Sequence, residues 1–417
     1  MTERERKLHA HIAAAHERAK QHLGASEADI ERGMELHREL LVCDSFTLPW
    51  SIPSCDGVAR LNAAIEAGWE WSDVQQLRLD IFAADCALDE EAAHLHEVLF
   101  EVAGVNCTVI NAGPGPGLEY ALRGVARFQQ VIDGLRERWA KAIEAQHVRD
   151  AFAEGRRAMM FSANNPPADA GFDDGFEQMQ WLEWFQRIGF RMMHLTYNRR
   201  NWVGDGCMEI NEGGLSAFGY EVVARMNELG ILIDTPHTGR QTTLQAAEAS
   251  SAPIAASHTV CRALHDHPRG KDDEQIRAIA DGGGFIGVTC VPMFLREGGG
   301  TIVDFLDHLD HAIDVGGIDH VGIGTDNGYV APMPEEPELL PLPRGRGHWW
   351  SYWLPGTAAG GSDERTDGSL SWVCWPYFTI GLLMRGYSEE QIAKVVGGNV
   401  LRVFEAVAET GAAQVHE

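Results

Sequence analysis

Short apolar runs alternate with longer stretches of helical spacing along most of the chain. Eight such runs occur: LLVCDSF (40–46), VNCTVI (105–110), AMMFSA (158–163), FRMMHLTY (190–197), GILIDTPH (230–237), PIAASH (253–258), GFIGVTCV (284–291) and HVGIGTD (320–326). The spacing predicts helices over 89–103, 121–150, 175–188, 217–229, 241–250, 272–282 and 302–315. Strands that alternate with helices predict βα units and a parallel sheet, and eight such units are typical of a (β/α)8 TIM barrel.

An open, doubly wound sheet is the alternative architecture. Its dinucleotide-binding form carries G-x-G-x-x-G directly after the first strand, and no such motif follows LLVCDSF here. We therefore predict an α/β protein with one barrel domain over residues 1–417.

Three segments lie outside the alternation. Residues 1–40 predict an N-terminal helical extension in which Ser26 caps a helix, and residues 388–410 predict a C-terminal helix that begins at a capping box. Residues 327–378 are rich in proline, glycine and tryptophan and predict a long loop on the active-site side of the barrel. Its aromatic residues either wall a pocket or a subunit interface, or serve only loop packing: Trp349, Trp350, Tyr352, Trp353, Trp372, Trp375 and Tyr377.

The charge balance narrows the possible partners. The chain has 417 residues, with 34 Lys and Arg against 61 Asp and Glu, and a formal net charge of −27. Nucleic acids and anionic membrane surfaces are therefore not expected to bind, because both need clustered basic residues. We expect no membrane span and no secretory segment, since long apolar runs are missing. Eight cysteines without a C-x-x-C pair favour reduced thiols and a cytoplasmic location.

Chemistry in a barrel of this kind lies at the carboxyl ends of the strands. The fifth and sixth runs end in His237 and His258, which adjacent strands would bring side by side. Two such histidines are half of a zinc site, whereas a single buried histidine is more often a core residue. The eighth run ends in Asp326, either a general base or metal ligand, or a turn residue before Asn327.

Polar residues near these ends are candidates for substrate binding. Arg269 lies in HDHPRGKDDEQ and either clamps a substrate carboxylate or pairs with an acid beside it. Tyr197 ends the fourth run and Asn198 follows it, and either could point to the substrate.

Long ordered runs resemble the renal, or membrane, dipeptidase family of metallopeptidases, from about residue 30 to 410. They are LTYNRRNWVGDGC, GGLSAFGYEVVARMNELGILIDTPHTG, APIAASHTVCRALHDHPRGKDDEQIRAIADGGGFIGV, LDHLDHAIDVGGIDHVGIGTD and GYSEEQIAKVVGGNVLRVFEAV. The resemblance implies an amidohydrolase-type (β/α)8 barrel, two zinc ions, dipeptide hydrolysis and a homodimer or larger assembly.

The resemblance also implies roles for individual residues. His237 and His258 match the histidines of the second zinc, and Asp326 matches the carboxylate that handles the proton of the tetrahedral intermediate. Arg269 matches the arginine that holds the terminal carboxylate of the substrate. Tyr197 lies where many members carry a histidine that polarises the scissile carbonyl.

The first strand departs from the family pattern D-G-H-x-D-x-P, in which the histidine and the second aspartate bind the first zinc. Anchoring the pattern on Asp44 puts Phe46 at the histidine. Anchoring it on Pro49 puts Ser45 at the histidine and Thr47 at the aspartate. Neither register supplies the two ligands.

The third strand departs as well. The family's bridging glutamate precedes two glycines, and MMFSANNP offers Ser162 or Ala163 at that place. A two-zinc centre needs a bridging carboxylate and both ligand shells. We therefore expect at most one zinc ion, at His237 and His258 with Asp326 as a weak third ligand.

Three functions remain open. The first is a dipeptidase-like hydrolase that acts on a small substrate with a free carboxylate. The second is a metal-free or mononuclear lyase, isomerase or cyclase on the same scaffold, and the third is a non-catalytic binding protein. Metal content and the openness of the barrel mouth would distinguish them.

Overall fold

The structure is a computed structural model that describes residues 1–113, 118–166, 175–343, 353–354, 357 and 368–415. Eight parallel strands form one sheet in the order β1-β2-β4-β5-β6-β7-β9-β10. Their bounds are β1 Cys43–Thr47, β2 Cys107–Gly113, β4 Arg157–Ala163, β5 Phe190–His194, β6 Leu232–Asp234, β7 Ala255–Cys261, β9 Phe285–Val288 and β10 Val321–Ile323. Each arises from one of the eight apolar runs, so the predicted (β/α)8 architecture is confirmed.

The last strand of the sheet lies beside the first. The amide of Asp326 donates to Phe46 O at 2.9 Å, and the amide of Leu48 donates to Asn327 O at 3.1 Å. Ser45 Oγ lies within hydrogen-bond distance of Ser257 O at 2.8 Å and Ile323 O at 2.9 Å, so it links three strands. A Cβ at position 324 would lie 1.9 Å from Ser257 O, so only glycine fits at Gly324.

Two very short strands lie at the edge of this path. β3 (Trp139–Lys141) pairs with β4, and β8 (Gly270–Lys271) pairs with β7. The helix predicted over 121–150 is therefore wrong in its middle, because β3 separates two helices there. Strands of two or three residues are too short for an alternating pattern to show.

Helices surround the sheet and connect its strands. Their bounds are α1 Glu3–Leu23, α2 Glu27–Glu39, α3 Cys55–Glu66, α4 Trp71–Ala84, α5 Glu90–Ala103, α6 Leu118–Gly134, α7 Ala145–Ala153, α8 Gly175–Ile188, α9 Ala217–Glu228, α10 Arg240–Ala249, α11 Asp273–Asp281, α12 Pro292–Leu295, α13 Ile302–Gly316, α14 Trp375–Met384, α15 Glu389–Ala393 and α16 Asn399–Val415. Among the helices that the structure describes, we find none with the length and apolarity that a bilayer crossing requires.

The two predicted flanking segments are helical. Ser26 caps α2 through a capping box with Asp29, and Ser388 caps α15 in the same way with Gln391. The predicted C-terminal helix is interrupted, because a π-helical turn at Lys394–Gly398 separates α15 from α16.

The predicted 327–378 loop ends earlier than expected, because its last residues form the start of α14. Trp375 and Tyr377 lie on that helix and are buried, and Trp372 is buried just before it. These three aromatic residues serve packing. Trp353 is also buried, whereas Trp349, Trp350 and Tyr352 lie outside the described residues.

A buried arginine of the N-terminal helix, Arg4, forms hydrogen bonds with loops of the barrel. Arg4 Nε donates to Pro332 O at 2.9 Å, and its Nη2 donates to Pro53 O at 2.6 Å. Its Nη1 contacts Glu91 Oε2 at 2.9 Å. Helix α1 therefore connects the loop after β1 with the loop after β10.

Candidate metal centre

The two histidines predicted at neighbouring strand ends face each other. His237 Nε2 lies 3.1 Å from His258 Nε2, and both rings are buried. His237 lies in the turn after β6, and His258 lies inside β7 where its pairing with β9 changes register. Such irregularities are common beside functional sites, where they change the direction of a side chain. Burial lowers the pKa of both imidazoles well below the usual value, and Arg269 acts in the same direction.

The hydrogen bonds around this pair fix which nitrogen carries the proton. His237 Nδ1 lies 2.7 Å from Asn198 Oδ1, an acceptor, so Nδ1 carries the proton. Ser257 Oγ donates its only proton to Asp234 Oδ2 and therefore accepts from His258 Nδ1 at 2.8 Å. With both Nδ1 atoms protonated, the neutral rings direct two Nε2 lone pairs at each other.

Two lone pairs at 3.1 Å repel each other unless they share a cation. Second-shell hydrogen bonds of this kind fix the tautomer of metal-binding histidines in proteins. The residues present therefore fit a divalent metal such as zinc at His237 and His258. They fit one ion, since a second ligand set does not accompany them among the described residues.

A third histidine lies at the same place and is absent from the sequence predictions. His194 is the last residue of β5 and the register partner of Asp234 at the end of β6. Its Nε2 lies 3.1 Å from Asp234 Oδ2. His194, Asp234 and His258 are the group of potential metal ligands that the described residues contain, with ligand atoms within 4.8 Å of one another.

Strand length explains why this group was missed. The fourth and fifth apolar runs suggest strands that reach Tyr197 and His237, whereas β5 and β6 end at His194 and Asp234. Residues chosen as the last of each run therefore lie three positions too far along the chain. The signal was present in the sequence, since His194 and Asp234 are potential metal ligands within the apolar cores of those runs.

The predicted third ligand, Asp326, is not a member of this group. It follows β10 with a left-handed φ of 52° and is partly exposed, as an aspartate in a tight turn can be. Burial of its carboxylate raises the pKa to about 7, while Arg269 lowers it and Asp44 raises it further. No described residue donates a hydrogen bond to this carboxylate, so it can accept a proton.

Arg269 is completely buried beneath the histidine loops. Its Nη1 donates to Pro236 O, and its Nη2 donates to His258 O at 3.0 Å. These bonds hold the two segments that carry His237 and His258. Within the described part of the chain, Nε is the guanidinium atom without a hydrogen-bond partner.

Tyr197 and Asn198 lie beside His237. The ring of Tyr197 stacks on the imidazole with centroids 4.1 Å apart. Asn198 is buried, has a left-handed φ of 59° and bonds His237 through its Oδ1. The structure therefore places both residues against His237, with Asn198 as the hydrogen-bond partner of its imidazole.

Side chains on and around β1 fill the part of the barrel mouth next to His258. Phe46 stacks on His258 with centroids 3.9 Å apart. Asp44 accepts from Thr325 N at 2.9 Å, Thr325 Oγ1 at 2.6 Å and Trp372 Nε1 at 3.1 Å. Burial raises the pKa of Asp44 to about 7, and these bonds act against that.

The strand that carries the family's bridging carboxylate is equally closed. Ser162 is buried and donates to Ile110 O at 3.1 Å, and Ala163 is buried after it. The described residues on this side therefore do not supply a first zinc shell.

A model of the membrane dipeptidase family, peptidase family M19, matches residues 51–338 and 356–416. The chain belongs to this family. The match begins after β1, so the strand that departs most from the family pattern lies outside it.

Relatives of this family member carry dipeptidase names. Dipeptidase verJ of Clonostachys rogersoniana is 28% identical over 310 residues, which cover 71% of this chain and 70% of that protein. An uncharacterized dipeptidase of Schizosaccharomyces pombe is 34% identical over 161 residues, but these cover only 37% of this chain and 39% of the relative.

Solved structures show the same fold. An amidohydrolase from Pseudomonas aeruginosa is 25% identical with a TM-score of 0.66, over 90% of this chain and 99% of that one. The probable dipeptidase PvdM from Pseudomonas aeruginosa is 20% identical with a TM-score of 0.67, over 93% of this chain and 100% of that one. The dipeptidase-family protein described here is thus an amidohydrolase-type barrel.

Proposed function

We propose that the protein hydrolyses the amide bond of a dipeptide or another small amide that bears a free carboxylate. It would use one divalent metal ion, zinc, at His237 and His258. The observation that supports this proposal is the 3.1 Å contact between two Nε2 lone pairs, because a cation is needed between them.

The metal would polarise the scissile carbonyl and lower the pKa of a water molecule. Asp326 accepts the proton of the attacking water and returns it to the amine that leaves. Its raised pKa, about 7, suits both transfers near neutral pH. Asn198 and Ser257 keep the two imidazoles in the tautomers that leave Nε2 free.

Substrate binding would use the residues around His237. Two of the five N–H groups of the Arg269 guanidinium bind carbonyl oxygens, and its Nε–H would be among the donors left for a substrate carboxylate. The stacked ring of Tyr197 would cover one side of the reacting amide. The side-chain preference and stereochemistry of the substrate do not follow from these contacts.

The experiment is a screen of the purified chain with dipeptides of both stereochemistries at the C-terminal residue and with N-acyl amino acids. We expect hydrolysis that a chelator abolishes and one equivalent of zinc restores. Peptides without the terminal carboxylate should be poor substrates. Failure to cleave any of these amides with metal bound would overturn the hydrolase proposal.

A metal-free acid–base enzyme is the second candidate. It is favoured by the continuous contacts from Asn198 through His237, His258 and Ser257 to Asp234, which can relay a proton. In that case one proton, rather than a metal ion, lies between the two Nε2 atoms. Retention of the chain's activity after complete metal removal would select this candidate.

The homo-oligomeric state, the cytoplasmic location and the lack of nucleic-acid or membrane partners stay predictions of the sequence. The reduced state of the thiols is likewise a prediction of the sequence. Light scattering of the purified chain would test the assembly.

A further inference from the structure

His194 has no role in the proposed reaction, yet it is completely buried at the metal centre. Neither of its ring nitrogens has a hydrogen-bond partner among the described residues. A buried polar group without a partner costs about 1–3 kcal/mol, so its presence requires an explanation. The resemblance did not assign a metal ligand to this position, because the family histidine at the end of the fourth apolar run corresponds to Tyr197.

The three imidazoles are equally spaced. The ring centroid of His194 lies 5.2 Å from that of His258 and 5.3 Å from that of His237, and the last two lie 5.2 Å apart. Three imidazoles bonded to one ion at about 2.0–2.1 Å in tetrahedral directions have centres roughly 5 Å apart. The ring triangle therefore has the size of a three-histidine metal site.

One carboxylate is placed to orient two of the three rings. Asp234 Oδ2 lies 3.1 Å from His194 Nε2, and Asp234 also accepts from Ser257, the partner of His258. The distance between His194 Nε2 and Asp234 Oδ2 suits a hydrogen bond, but the angle does not. A small rotation of the imidazole ring would complete this hydrogen bond. Nε2 would then carry the proton and Nδ1 the lone pair, as in carboxylate–histidine–zinc arrangements.

Asp234 itself is less suited to bind the ion directly. It already accepts from the amide of Ser257 at 2.7 Å, from Ser257 Oγ and from the amide of Thr235 at 3.1 Å. Phe46 packs against both His194 and His258 and offers no ligand atom. These neighbours favour one ion on three imidazoles and oppose a second ion.

We propose that His194 is the third protein ligand of a mononuclear three-histidine centre with His237 and His258, which binds a divalent transition metal such as zinc. A fourth position stays available to water or substrate. The inference rests on the proposed function only in that the hydrolase would use this ion, and metal binding is measured independently of hydrolysis.

His194→Phe removes the ligand and keeps an apolar ring of similar size beside Phe46. The matched control is His96→Phe. His96 is also completely buried, and neither of its ring nitrogens has a hydrogen-bond partner among the described residues. It lies among the rings of Trp50, Phe100 and Trp139 instead. Both variants thus make the same chemical change in buried surroundings.

The full-length proteins are stripped with a chelator and titrated with Zn²⁺ against a chromophoric competitor. Metal content is determined by elemental analysis, and the visible spectrum is recorded with Co²⁺. We expect one equivalent in the wild type and at least a roughly 100-fold weaker affinity in His194→Phe, since loss of an outer-shell partner alone costs 10–100-fold. His96→Phe should bind as the wild type does, and the Co²⁺ spectrum should change only in His194→Phe.

Wild-type affinity in a folded His194→Phe variant would overturn the proposal, as would no metal or two equivalents in the wild type. Circular dichroism of the stripped proteins checks the fold. If His194→Phe does not fold, His194→Gln is measured in its place with the same expected loss. Dipeptide hydrolysis is assayed on the same samples, so that an inactive protein with one tightly bound ion counts against the hydrolase proposal alone.

Discussion

The two sides of the barrel mouth are built in opposite ways. The histidine side, formed by His194, Asp234, His237 and His258, keeps polar groups whose hydrogen bonds leave lone pairs for a cation. The closed side, formed by Asp44, Phe46, Ser162 and Thr325, satisfies its polar groups internally and fills the remaining space with a phenyl ring. All ligands of one metal ion in a two-metal site can therefore be replaced together. Such a replacement leaves no buried charge without a partner.

The largest expected effect on activity comes from replacing the proposed general base, Asp326. Asp326→Asn should lower kcat/KM about 100- to 10,000-fold, the range for loss of a general base. Zinc affinity should stay nearly unchanged, because the proposed ligands are the imidazoles of His194, His237 and His258 and not the Asp326 carboxylate. Asp319→Asn, at a surface acid paired with Lys394, is the control and should keep full activity.

The pH dependence of wild-type activity also tests whether Asp326 is the general base. An ionised Asp326 is needed to accept a proton, so activity should rise as the pH increases through about 7 and fall below it. Asp326→Asn should lack this limb. A profile with the same limb in the variant would show that another group is the base.

Phe46→Ala tests the closed side. Removal of a buried phenyl ring should lower the free energy of unfolding by about 3–5 kcal/mol, measured by denaturant titration. Phe285→Ala, in the same buried cluster, should cost a similar amount. One equivalent of zinc should remain in both. A second equivalent in Phe46→Ala would mean that Phe46 alone keeps the second ion out.

Ser257→Ala tests the hydrogen bonds behind the histidine side. Loss of the hydroxyl leaves His258 Nδ1 without its acceptor, so zinc affinity should fall about 10- to 100-fold. Ser45→Ala is the control, because Ser45 bonds only backbone carbonyl oxygens. Equal zinc affinities in the two variants would contradict the tautomer argument.

The smallest expected change is in Phe46→His. It places an imidazole beside His258 but supplies no carboxylate for a second ion. We expect the metal content to stay at one equivalent. A gain to two equivalents would show that one residue separates this protein from a binuclear centre.

The fold was predictable because each strand of the barrel is an apolar run bounded by polar residues. LLVCDSF contains the strand Cys43–Thr47 except for its last residue, and HVGIGTD contains the strand Val321–Ile323. β3 and β8 were not predictable, because their two or three residues, WAK and GK, do not lie in an apolar run, whereas the equally short β6 and β10 do. Helices α3 and α4 also went unpredicted, and α4 mixes polar and apolar residues without a clear face.

The candidate site was predictable only in part. His237 and His258 came from their positions at run ends, and the structure brings them into contact. His194 and Asp234 were hidden, because run ends and strand ends differ by three residues in β5 and β6. The stacking of Phe46 on His258 joins residues far apart in the chain, and no local pattern encodes such a contact.

The buried Arg4 ties the earliest part of the chain to one of the last. Its acceptor at Pro332 lies 328 residues further along. At about 5–20 residues per second, the ribosome delivers that acceptor roughly 15–65 seconds after the arginine. Arg4 can therefore complete its set of contacts only after the loop that carries Pro332 has been synthesised, whereas those with Pro53 and Glu91 can form earlier.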